Sequence, residues 1–216
     1  MKVNEIFSSI EGEGIRAGEL ATFIRLAGCN LCCSYCDTKY ALKNEDGNEM
    51  TIEEIINDIK RYKNRNVTLT GGEPLIHKDV DSLIGQLIEN NYKVNIETNG
   101  AIDIEKYLGR CLITMDYKCP SSLMEKAMRR ENLEKLSEND VLKFVIKEED
   151  FPCVEYVLKK FNIKSYVYLS PIFNEVSPEK IVDFMKKCNE KGIDMSKVRI
   201  HVQLHKIIWD PAKRGV

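Results

Sequence analysis

The sequence predicts an α/β fold, a partial and open β/α barrel with parallel strands. Short apolar runs alternate with segments of helical periodicity from one end of the chain to the other, as in a parallel sheet covered by helices. About six strand-helix units can be counted, fewer than the eight that close a full barrel. A chain of 216 residues usually forms one domain and can bury roughly 70% of its unfolded surface. We therefore expect a single domain, 1–216.

The positions of the strands and helices are predicted from local patterns of apolar residues. Strands are predicted where short apolar runs occur, at 2–7, 21–27, 66–70, 93–97, 111–116, 141–146, 165–170 and 197–201. Helices are predicted where apolar residues recur with helical spacing, at 51–62, 78–90, 104–108, 123–136, 148–161 and 178–191. Thr51 and Glu54 are spaced as a capping box, and Ser177 before Pro178 indicates a capped helix start.

Composition excludes two classes of function. Lys and Arg number 32 and Asp and Glu 34, which gives a formal charge of −2, so the protein is not held on nucleic acid or an anionic membrane by bulk charge. No apolar run approaches the ~20 residues that span a bilayer. The first residues carry no apolar signal core, and we expect a cytoplasmic protein.

The cysteines are concentrated in one short segment. A random distribution of the eight cysteines would place about 0.3 in any window of eight residues, yet the window 29–36 holds four. Thiols stay reduced in the cytosol, so such a cluster indicates metal binding or redox chemistry rather than disulfides. The four cysteines outside this window are expected to be small buried apolar residues: Cys111, Cys119, Cys153 and Cys188.

Three of the clustered cysteines form a Cys-x3-Cys-x2-Cys set: Cys29, Cys33 and Cys36. Structural zinc sites and ordinary electron-transfer iron-sulfur sites use four ligands, so a three-thiolate loop suggests one coordination position left for another molecule. Two alternatives remain open. Cys32 could complete a four-thiolate site, or Cys29, Cys32 and Cys36 could be the ligands.

The cysteine spacing, with the aromatic residue Tyr35 before the last cysteine, resembles the signature of the radical S-adenosylmethionine (SAM) superfamily. The resemblance implies that Cys29, Cys33 and Cys36 hold a 4Fe-4S cluster whose fourth iron binds SAM. Reductive cleavage of SAM then gives a 5′-deoxyadenosyl radical, which a deep site keeps from solvent. Tyr35, Cys36 and Asp37 are implied to lie beside the cofactor.

Polar residues at the ends of later strands fit the same family. The segment 70–74, Thr-Gly-Gly-Glu-Pro, resembles the superfamily motif that holds the methionyl amino group, and 97–100 resembles its ribose-contacting strand end. The sequence departs from the common Ser-Pro-Lys at 116–118. The resemblance implies these further cofactor residues: Gly72, Glu73, Glu97, Asp116, Tyr117 and Lys118.

Both ends of the chain resemble one family within this superfamily, the 7-carboxy-7-deazaguanine synthases. The matching segments are 7–14, 23–29, 36–38, 203–206, Trp209 and 213–216. The resemblance implies one radical SAM core whose cluster loop is 28–39, with 7–14 and 203–216 closing the substrate site. The implied reaction is the conversion of 6-carboxy-5,6,7,8-tetrahydropterin to 7-carboxy-7-deazaguanine and ammonia, a lyase step in queuosine-type 7-deazapurine biosynthesis.

The implied substrate suits the residues that match. Backbone groups and side-chain carboxylates can hydrogen-bond to the flat edge of a pterin. The carboxylate of the substrate can be bound by the bidentate fork of Arg25. The expected substrate residues are Ile10, Glu11, Gly12, Glu13, Arg25, Thr70, His205 and Val216. His205 is also the one candidate for a catalytic proton role. The resemblance implies that Thr38 gives a hydroxyl ligand to Mg²⁺, which prefers oxygen.

Two other functions compete with this one. A glycyl-radical enzyme activase shares the cysteine spacing, and a zinc or electron-transfer module would carry out no adenosyl chemistry. An electron donor such as flavodoxin or ferredoxin and a second copy of the chain, in a homodimer, are the partners that the resemblance implies.

Overall fold

The structure, a computed structural model, describes all 216 residues. It divides into two compact units. Unit 1 comprises Met1–Cys32, Cys36–Thr98 and Leu204–Val216, and unit 2 comprises Cys33–Tyr35 and Asn99–Gln203. The single-domain organisation stays a prediction. None of the helices combines the length and apolar character needed to cross a membrane.

Nine strands and six α-helices make up the regular structure. The strands are β1 Lys2–Ile10, β2 Leu20–Leu26, β3 Asn48–Glu49, β4 Asn66–Gly71, β5 Lys93–Thr98, β6 Leu112–Asp116, β7 Val141–Ile146, β8 Tyr166–Pro171 and β9 Val198–Ile200. The helices are α1 Ile52–Ile59, α2 Val80–Glu89, α3 Asn132–Lys135, α4 Phe151–Lys160, α5 Pro178–Glu190 and α6 Leu204–Ile208. All eight predicted strands are present, with ends shifted by a few residues. The two-residue β3 was not predicted.

Unit 1 contains the strand order β3-β1-β2-β4-β5. The pairs β2·β4 and β4·β5 are parallel, as predicted. The prediction of parallel strands is wrong for β1, which pairs antiparallel with β2 and with β3. The connection 11–19 between β1 and β2 has nine residues and no helix, whereas a parallel crossover needs a dozen or more. A helix-free connection of that length returns the chain antiparallel.

Unit 2 contains the parallel ladder β6-β7-β8-β9. All six residues of β7 are buried, as expected for a strand covered on both faces. Phe151 on α4 stacks on Phe184 on α5, with ring centroids 4.4 Å apart. The apolar faces of these two helices therefore pack together beside the sheet, at the positions that periodicity predicts.

Both predicted helix caps are present. The Thr51 hydroxyl accepts from the Glu54 amide at 3.2 Å, and the Glu54 carboxylate accepts from the Thr51 amide at 2.7 Å. Ser177 caps α5, and Pro178 occupies its first turn. Such caps satisfy amide groups that the first helical turn leaves without partners.

Two helix predictions are wrong. The segment 104–108 forms one 3₁₀ turn, Glu105–Tyr107. The segment 123–136 holds a second 3₁₀ turn, Glu125–Ala127, and the four-residue α3. Leu123 has a φ of 64°, which a right-handed helix cannot contain. Apolar residues in this segment are buried by successive turns instead of one helical face.

Candidate active site

The cysteine segment leaves the sheet directly after β2, and backbone hydrogen bonds close its base. The Gly28 amide donates to the Ala41 carbonyl at 2.8 Å, and the Cys29 amide donates to the Leu42 carbonyl at 3.0 Å. Gly28 has a φ of 102°, and a Cβ there would stand 2.4 Å from Oδ1 of Asn44. Glycine permits both the conformation and the close contact. The segment therefore begins and ends at one fixed place in unit 1.

The cysteines of this segment are reduced and accessible. None of the eight cysteines forms a disulfide, and Cys29, Cys33 and Cys36 are half-buried while Cys32 is exposed. The Leu31 amide donates to Sγ of Cys29 at 3.4 Å. No three His, Cys, Asp or Glu side chains are gathered as a ready metal site. Thiols are soft donors of the kind that iron-sulfur centres use.

The Gly-Gly-Glu-Pro turn after β4 contacts the root of the cysteine segment. Gly71 has a φ of 137°, and a Cβ on Gly72 would stand 2.1 Å from the Gly28 carbonyl oxygen. The Glu73 amide donates to that same oxygen at 2.8 Å. Both glycines are required here, since one needs a backbone conformation that side chains disfavour and the other has no space for a side chain.

The Glu73 side chain is fully buried and fixed at a strand end. Its Oε1 atom accepts from the Leu75 amide at 3.0 Å and from the Thr98 hydroxyl at 2.9 Å. Thr98 is the last residue of β5, so the two neighbouring strand ends hold this carboxylate between them. A buried carboxylate with fixed orientation is suited to accept from a ligand's amino group.

Arg25 lies in a pocket of aromatic and acidic side chains in unit 1. Its Nε donates to Oε1 of Glu5 on the paired strand at 2.7 Å, and the Tyr40 hydroxyl donates to the same oxygen at 3.2 Å. The guanidinium carbon lies 5.7 Å from the Phe7 ring centroid and 5.8 Å from that of Tyr40. Glu5 therefore fixes one edge of the fork, which leaves the two Nη groups for a ligand.

Glu11, in the loop after β1, is 1% exposed. Its Oε1 accepts from the Thr68 hydroxyl, and its Oε2 is buried without a hydrogen-bond partner. Burial raises the pKa of Glu11 to about 8, and the nearby charge of Glu97 adds to the rise, while Thr68 and Arg16 oppose it. Glu97 itself accepts from the Thr70 hydroxyl at 2.6 Å. Thr70 on β4 and Glu11 in the loop after β1, both predicted as substrate residues, thus belong to one cluster of polar side chains.

The segments 7–14 and 203–216 contact each other in unit 1. The Leu204 amide at the start of α6 donates to the Gly12 carbonyl at 3.1 Å. A Cβ on Gly12 would stand 2.1 Å from Nδ1 of His205. Glu13, which follows Gly12 in the sequence, is buried, whereas Ile10 and Val216 are half-buried.

Charged side chains connect the C-terminal segment to 37–40. The Lys206 ammonium lies 2.8 Å from Oδ2 of Asp37, and Oδ1 of Asp37 accepts from the Thr38 hydroxyl at 3.0 Å. The Arg214 guanidinium carbon lies 3.6 Å from the Tyr40 ring centroid. The predicted magnesium residue, Thr38, therefore belongs to a polar chain of three side chains.

Unit 2 contains the other predicted cofactor residues. Lys118 lies 3.0 Å from Oδ2 of Asp116, and its ammonium is 5.8 Å from the Tyr35 ring centroid. Burial acts to lower the pKa of Lys118, but the charges of Asp116 and Cys33 raise it above its usual value. The Tyr35 hydroxyl donates to the Val145 carbonyl at 3.2 Å, which fixes the plane of its ring.

Tyr117 points away from this group. Its ring is 2% exposed and lies 5.4 Å from that of Phe144, and burial raises its pKa to about 12. The Tyr117 amide donates to the Lys143 carbonyl at 2.8 Å. Without a rotation of its side chain, Tyr117 could contact the cofactor only through backbone atoms. Its cofactor role stays a prediction.

Four contributing residues were missed by the sequence prediction: Thr68, Lys143, Lys206 and Tyr40. Lys143 had a signal, because a cation at the third position of an apolar six-residue strand must face a partner or a ligand. Thr68 likewise stands among buried apolar residues of β4. Lys206 lies in the matching segment 203–206 but was given no role of its own, and Tyr40 lies in a segment where no pattern distinguishes it.

Comparison with known proteins identifies the family. The Radical SAM superfamily profile matches residues 23–210. The 7-carboxy-7-deazaguanine synthase of Clostridium acetobutylicum is 45% identical, over 100% of this chain and 99% of that protein. The chain belongs to the 7-carboxy-7-deazaguanine synthase family of radical SAM enzymes. The synthase of Methanospirillum hungatei is 37% identical, over 98% of this chain and 86% of its own length.

A solved structure shares the fold of this family member. The crystal structure of QueE from Escherichia coli matches with a TM-score of 0.69 and 24% sequence identity, over 94% of this chain and 93% of that one. The likeness confirms the predicted α/β class with a mostly parallel sheet of the partial-barrel type. Membership of the radical SAM superfamily implies a 4Fe-4S cluster and SAM as cofactors.

Proposed function

We propose that the chain converts 6-carboxy-5,6,7,8-tetrahydropterin to 7-carboxy-7-deazaguanine and ammonia, a step toward queuosine-type 7-deazapurines. The observation that supports it most is the match to named synthases over the whole chain, both ends included. These ends are the segments that meet at Gly12 and His205. A radical SAM enzyme acting on a different substrate would not need this pair of segments.

The cofactors are assigned to the cysteine segment and the neighbouring strand ends. Cys29, Cys33 and Cys36 would hold the 4Fe-4S cluster, and Cys32 would hold no iron. Bound SAM would supply the radical chemistry for abstraction of a hydrogen atom from the pterin. Glu73, fixed by Thr98 and the Leu75 amide, accepts a hydrogen bond from the methionyl amino group.

The substrate is assigned to the polar group in unit 1. The Nη groups of Arg25 hold the pterin carboxylate, since Glu5 already fixes Nε. The unpartnered Oε2 of Glu11 faces the pterin edge with the backbone of 10–12, and Glu13 completes the contact. A protonated Glu11 donates to a ring nitrogen or carbonyl, and an ionised one accepts from the amino group.

Magnesium is assigned to the Thr38 hydroxyl together with the substrate. This hydroxyl donates its proton to Asp37, which leaves the oxygen lone pairs for a cation. One neutral oxygen cannot hold Mg²⁺ alone, so the pterin carboxylate provides the charged ligand. Little Mg²⁺ therefore binds to the substrate-free protein, and Thr38→Ala should weaken the Mg²⁺ dependence of turnover.

The remaining partners follow from the chemistry. The cluster must gain one electron before SAM can be cleaved, so a low-potential carrier such as flavodoxin or ferredoxin is the proposed donor. A cytoplasmic location keeps the cluster thiolates reduced. We also expect a homodimer, which sedimentation of the reconstituted protein would detect.

The test is turnover by the anaerobically reconstituted protein. The protein is incubated with SAM, dithionite, Mg²⁺ and the carboxypterin, and products are separated by liquid chromatography with mass detection. The proposal requires 7-carboxy-7-deazaguanine together with one ammonia per product. Cleavage of SAM without deazaguanine would refute the substrate while leaving the superfamily assignment in place.

A further inference from the structure

A buried carboxylate in unit 2 holds a short turn of the chain. Asp150, immediately before α4, is fully buried. Its Oδ1 accepts from the Ser121 amide at 2.9 Å, and its Oδ2 accepts from the Ser121 hydroxyl at 2.5 Å. The Lys147 amide also donates to Oδ2, at 3.1 Å. Three donors therefore fix the carboxylate, and two of them come from one serine in the 3₁₀ turn Pro120–Ser122.

The same turn holds the middle of the cysteine segment. The Ser34 amide donates to the Ser122 carbonyl at 3.1 Å, and the Ser34 hydroxyl donates to the Ser121 carbonyl at 2.6 Å. Ser34 follows Cys33, a proposed cluster ligand, and belongs with it to unit 2. A continuous chain of hydrogen bonds thus runs from Asp150 through the turn to the residue beside Cys33.

The turn has little apolar surface of its own to bury. Leu123, which ends it, is 75% exposed and has a φ of 64°, a backbone conformation that residues other than glycine adopt rarely. Ser121 and Ser122 are buried, but both are polar. The position of the turn, and with it that of Ser34, therefore depends strongly on hydrogen bonds, and those of Asp150 connect the turn to the start of α4.

We propose that Asp150 is a positioning residue for the iron-sulfur cluster: through Ser121 it holds the backbone beside Cys33 in the position from which that thiolate would bind iron. This inference rests on the cluster ligands of the proposed function and not on its substrate. The hydrogen bonds of Asp150 reach the cysteine segment only through the turn. The Tyr35 hydroxyl, which donates to the Val145 carbonyl at 3.2 Å, is a separate anchor, so loss of Asp150 should loosen the segment without releasing it.

Asp150→Asn breaks the first link of this chain and keeps the shape of the side chain. A carboxamide has one acceptor oxygen and one NH₂ group, so in either orientation its NH₂ group would face the amide of Ser121 or of Lys147, and both are donors. In the anaerobically reconstituted protein, the peptide that contains 33–35 should exchange its amide hydrogens about tenfold faster. Iron should also pass to a chelator about tenfold faster, the factor expected for loss of one hydrogen bond to a charged group. Mass spectrometry measures the exchange, and the absorbance of a ferrous chelate measures iron release.

Asp140→Asn is the matched control. Asp140 is also buried, and it accepts from the Ile113 amide at 2.9 Å and from the amide and hydroxyl of Ser137 at 2.8 and 2.7 Å. It therefore has the same set of donors, two backbone amides and one serine hydroxyl, but none of these bonds reaches the cysteine segment. This variant should lose a similar free energy of unfolding and keep both rates within twofold of the wild type.

The reduced cluster provides a spectroscopic signature. Its electron paramagnetic resonance signal should broaden in Asp150→Asn, because Cys33 then has more than one position, and should keep its width in Asp140→Asn. Equal changes in the two variants would mean a general loss of stability and would overturn the proposal. So would iron release at the wild-type rate in a folded Asp150→Asn protein.

Ser34→Ala tests the last link and keeps the test valid if Asp150→Asn folds poorly. Ser34 is exposed, so the fold should tolerate this substitution. It removes only the hydroxyl bond to Ser121, and iron release should become about threefold faster, as expected for one neutral hydrogen bond. An unchanged rate in Ser34→Ala would mean that the turn does not hold the cluster, and the proposal would be wrong.

Cys33→Ala separates this failure from failure of the ligand assignment. If Cys33→Ala keeps its iron, the ligand assignment is wrong and the positioning role fails with it. If Cys33→Ala loses its iron while Asp150→Asn releases iron at the wild-type rate, only the positioning role is wrong. Neither measurement includes the pterin, so failure of the substrate assignment would not change these results.

Discussion

His205 lies directly against Gly12, near opposite ends of the chain. A Cβ atom on Gly12 would stand 2.1 Å from the imidazole Nδ1 and 3.0 Å from Cγ. Backbone contact reinforces the relationship, since the Leu204 amide donates to the Gly12 carbonyl at 3.1 Å. The helix α6 can therefore lie in this position only because residue 12 has no side chain.

Gly12→Ala should raise the KM for the pterin without weakening SAM binding. The new methyl group must displace His205 and with it the closing segment, because it would stand 2.1 Å from the imidazole Nδ1. We expect kcat/KM for the pterin to fall by about tenfold or more, since a small misplacement of substrate groups has effects of this size. Steady-state kinetics and SAM dialysis measure the two quantities.

Gly85→Ala is the control for this substitution. Gly85 lies inside α2, where an added Cβ meets nothing within 4 Å. Alanine is a better helix former, so the free energy of unfolding should rise by about 0.5–1 kcal/mol and the kinetics should not change. Equal kinetics for the two alanine variants would contradict the closing role of the Gly12–His205 contact.

Glu11 makes the protein less stable as the pH rises. Its pKa is about 8 in the folded protein against an ordinary value of 4.5. Between these values the folded protein keeps a proton that the unfolded chain has lost, so stability falls by up to about 1.4 kcal/mol per pH unit. Below about pH 4.5 both states are protonated, and above about pH 8 both are ionised, so the trend is confined to this window.

Glu11→Gln removes that trend. The difference in free energy of unfolding between Glu11→Gln and the wild type should grow in favour of the variant from pH 5 to pH 8. Urea titrations of the cluster-free protein at several pH values give this difference. Thr68→Val offers an independent check, because the Thr68 hydroxyl opposes the rise and its loss should extend the window upward. A difference that does not vary with pH would contradict the burial of an ionisable Glu11.

The proposed cluster ligands include Cys33 but not the neighbouring Cys32. Cys33→Ala should leave the reconstituted protein without a stable cluster, whereas Cys32→Ala should bind about four iron atoms, because only Cys33 belongs to the proposed ligand set. Iron and sulfide analysis and the cluster absorption band measure the outcome. The opposite result would mean that Cys29, Cys32 and Cys36 are the ligands.

The strands were predictable because their signal is local. The six apolar-rich residues of β7 lie between turn residues, and the prediction gave its bounds correctly. The four-residue α3 and five-residue α6 have too few turns for a periodic signal. Their positions depend on tertiary contacts, as the hydrogen bond from Leu204 to Gly12 shows. Leu204 and Gly12 are far apart in the sequence, so no local sequence pattern indicates their contact.

The structure brings several of the residues predicted for the site close together, but their contacts could not be predicted from the sequence. The motif residues Arg25 and Glu73 are polar groups near the carboxyl ends of parallel strands, where such sheets collect ligands, whereas Glu11 follows the antiparallel β1. The Glu5 partner of Arg25 depends on the β1·β2 register, which the sequence prediction did not provide. Cys119 and Cys153 were predicted as small buried residues, yet Cys153 is half-buried and each thiol shifts the pKa of the other. Such pairings arise only when the chain has folded.

Arg25→Lys tests whether the guanidinium fork, rather than the charge alone, recognises the substrate. Lysine keeps the cation and can still pair with Glu5, but that contact uses the single ammonium and leaves no second edge for a carboxylate. We expect kcat/KM for the carboxypterin to fall about ten- to a hundredfold, while SAM binding is unchanged. Arg61→Lys is the control, since Arg61 makes an exposed pair with Asp58. A competing tetrahydropterin that lacks the 6-carboxylate should bind the wild type and Arg25→Lys equally. If it instead loses affinity in step with the carboxypterin, Arg25 stabilises the pocket and does not read the carboxylate.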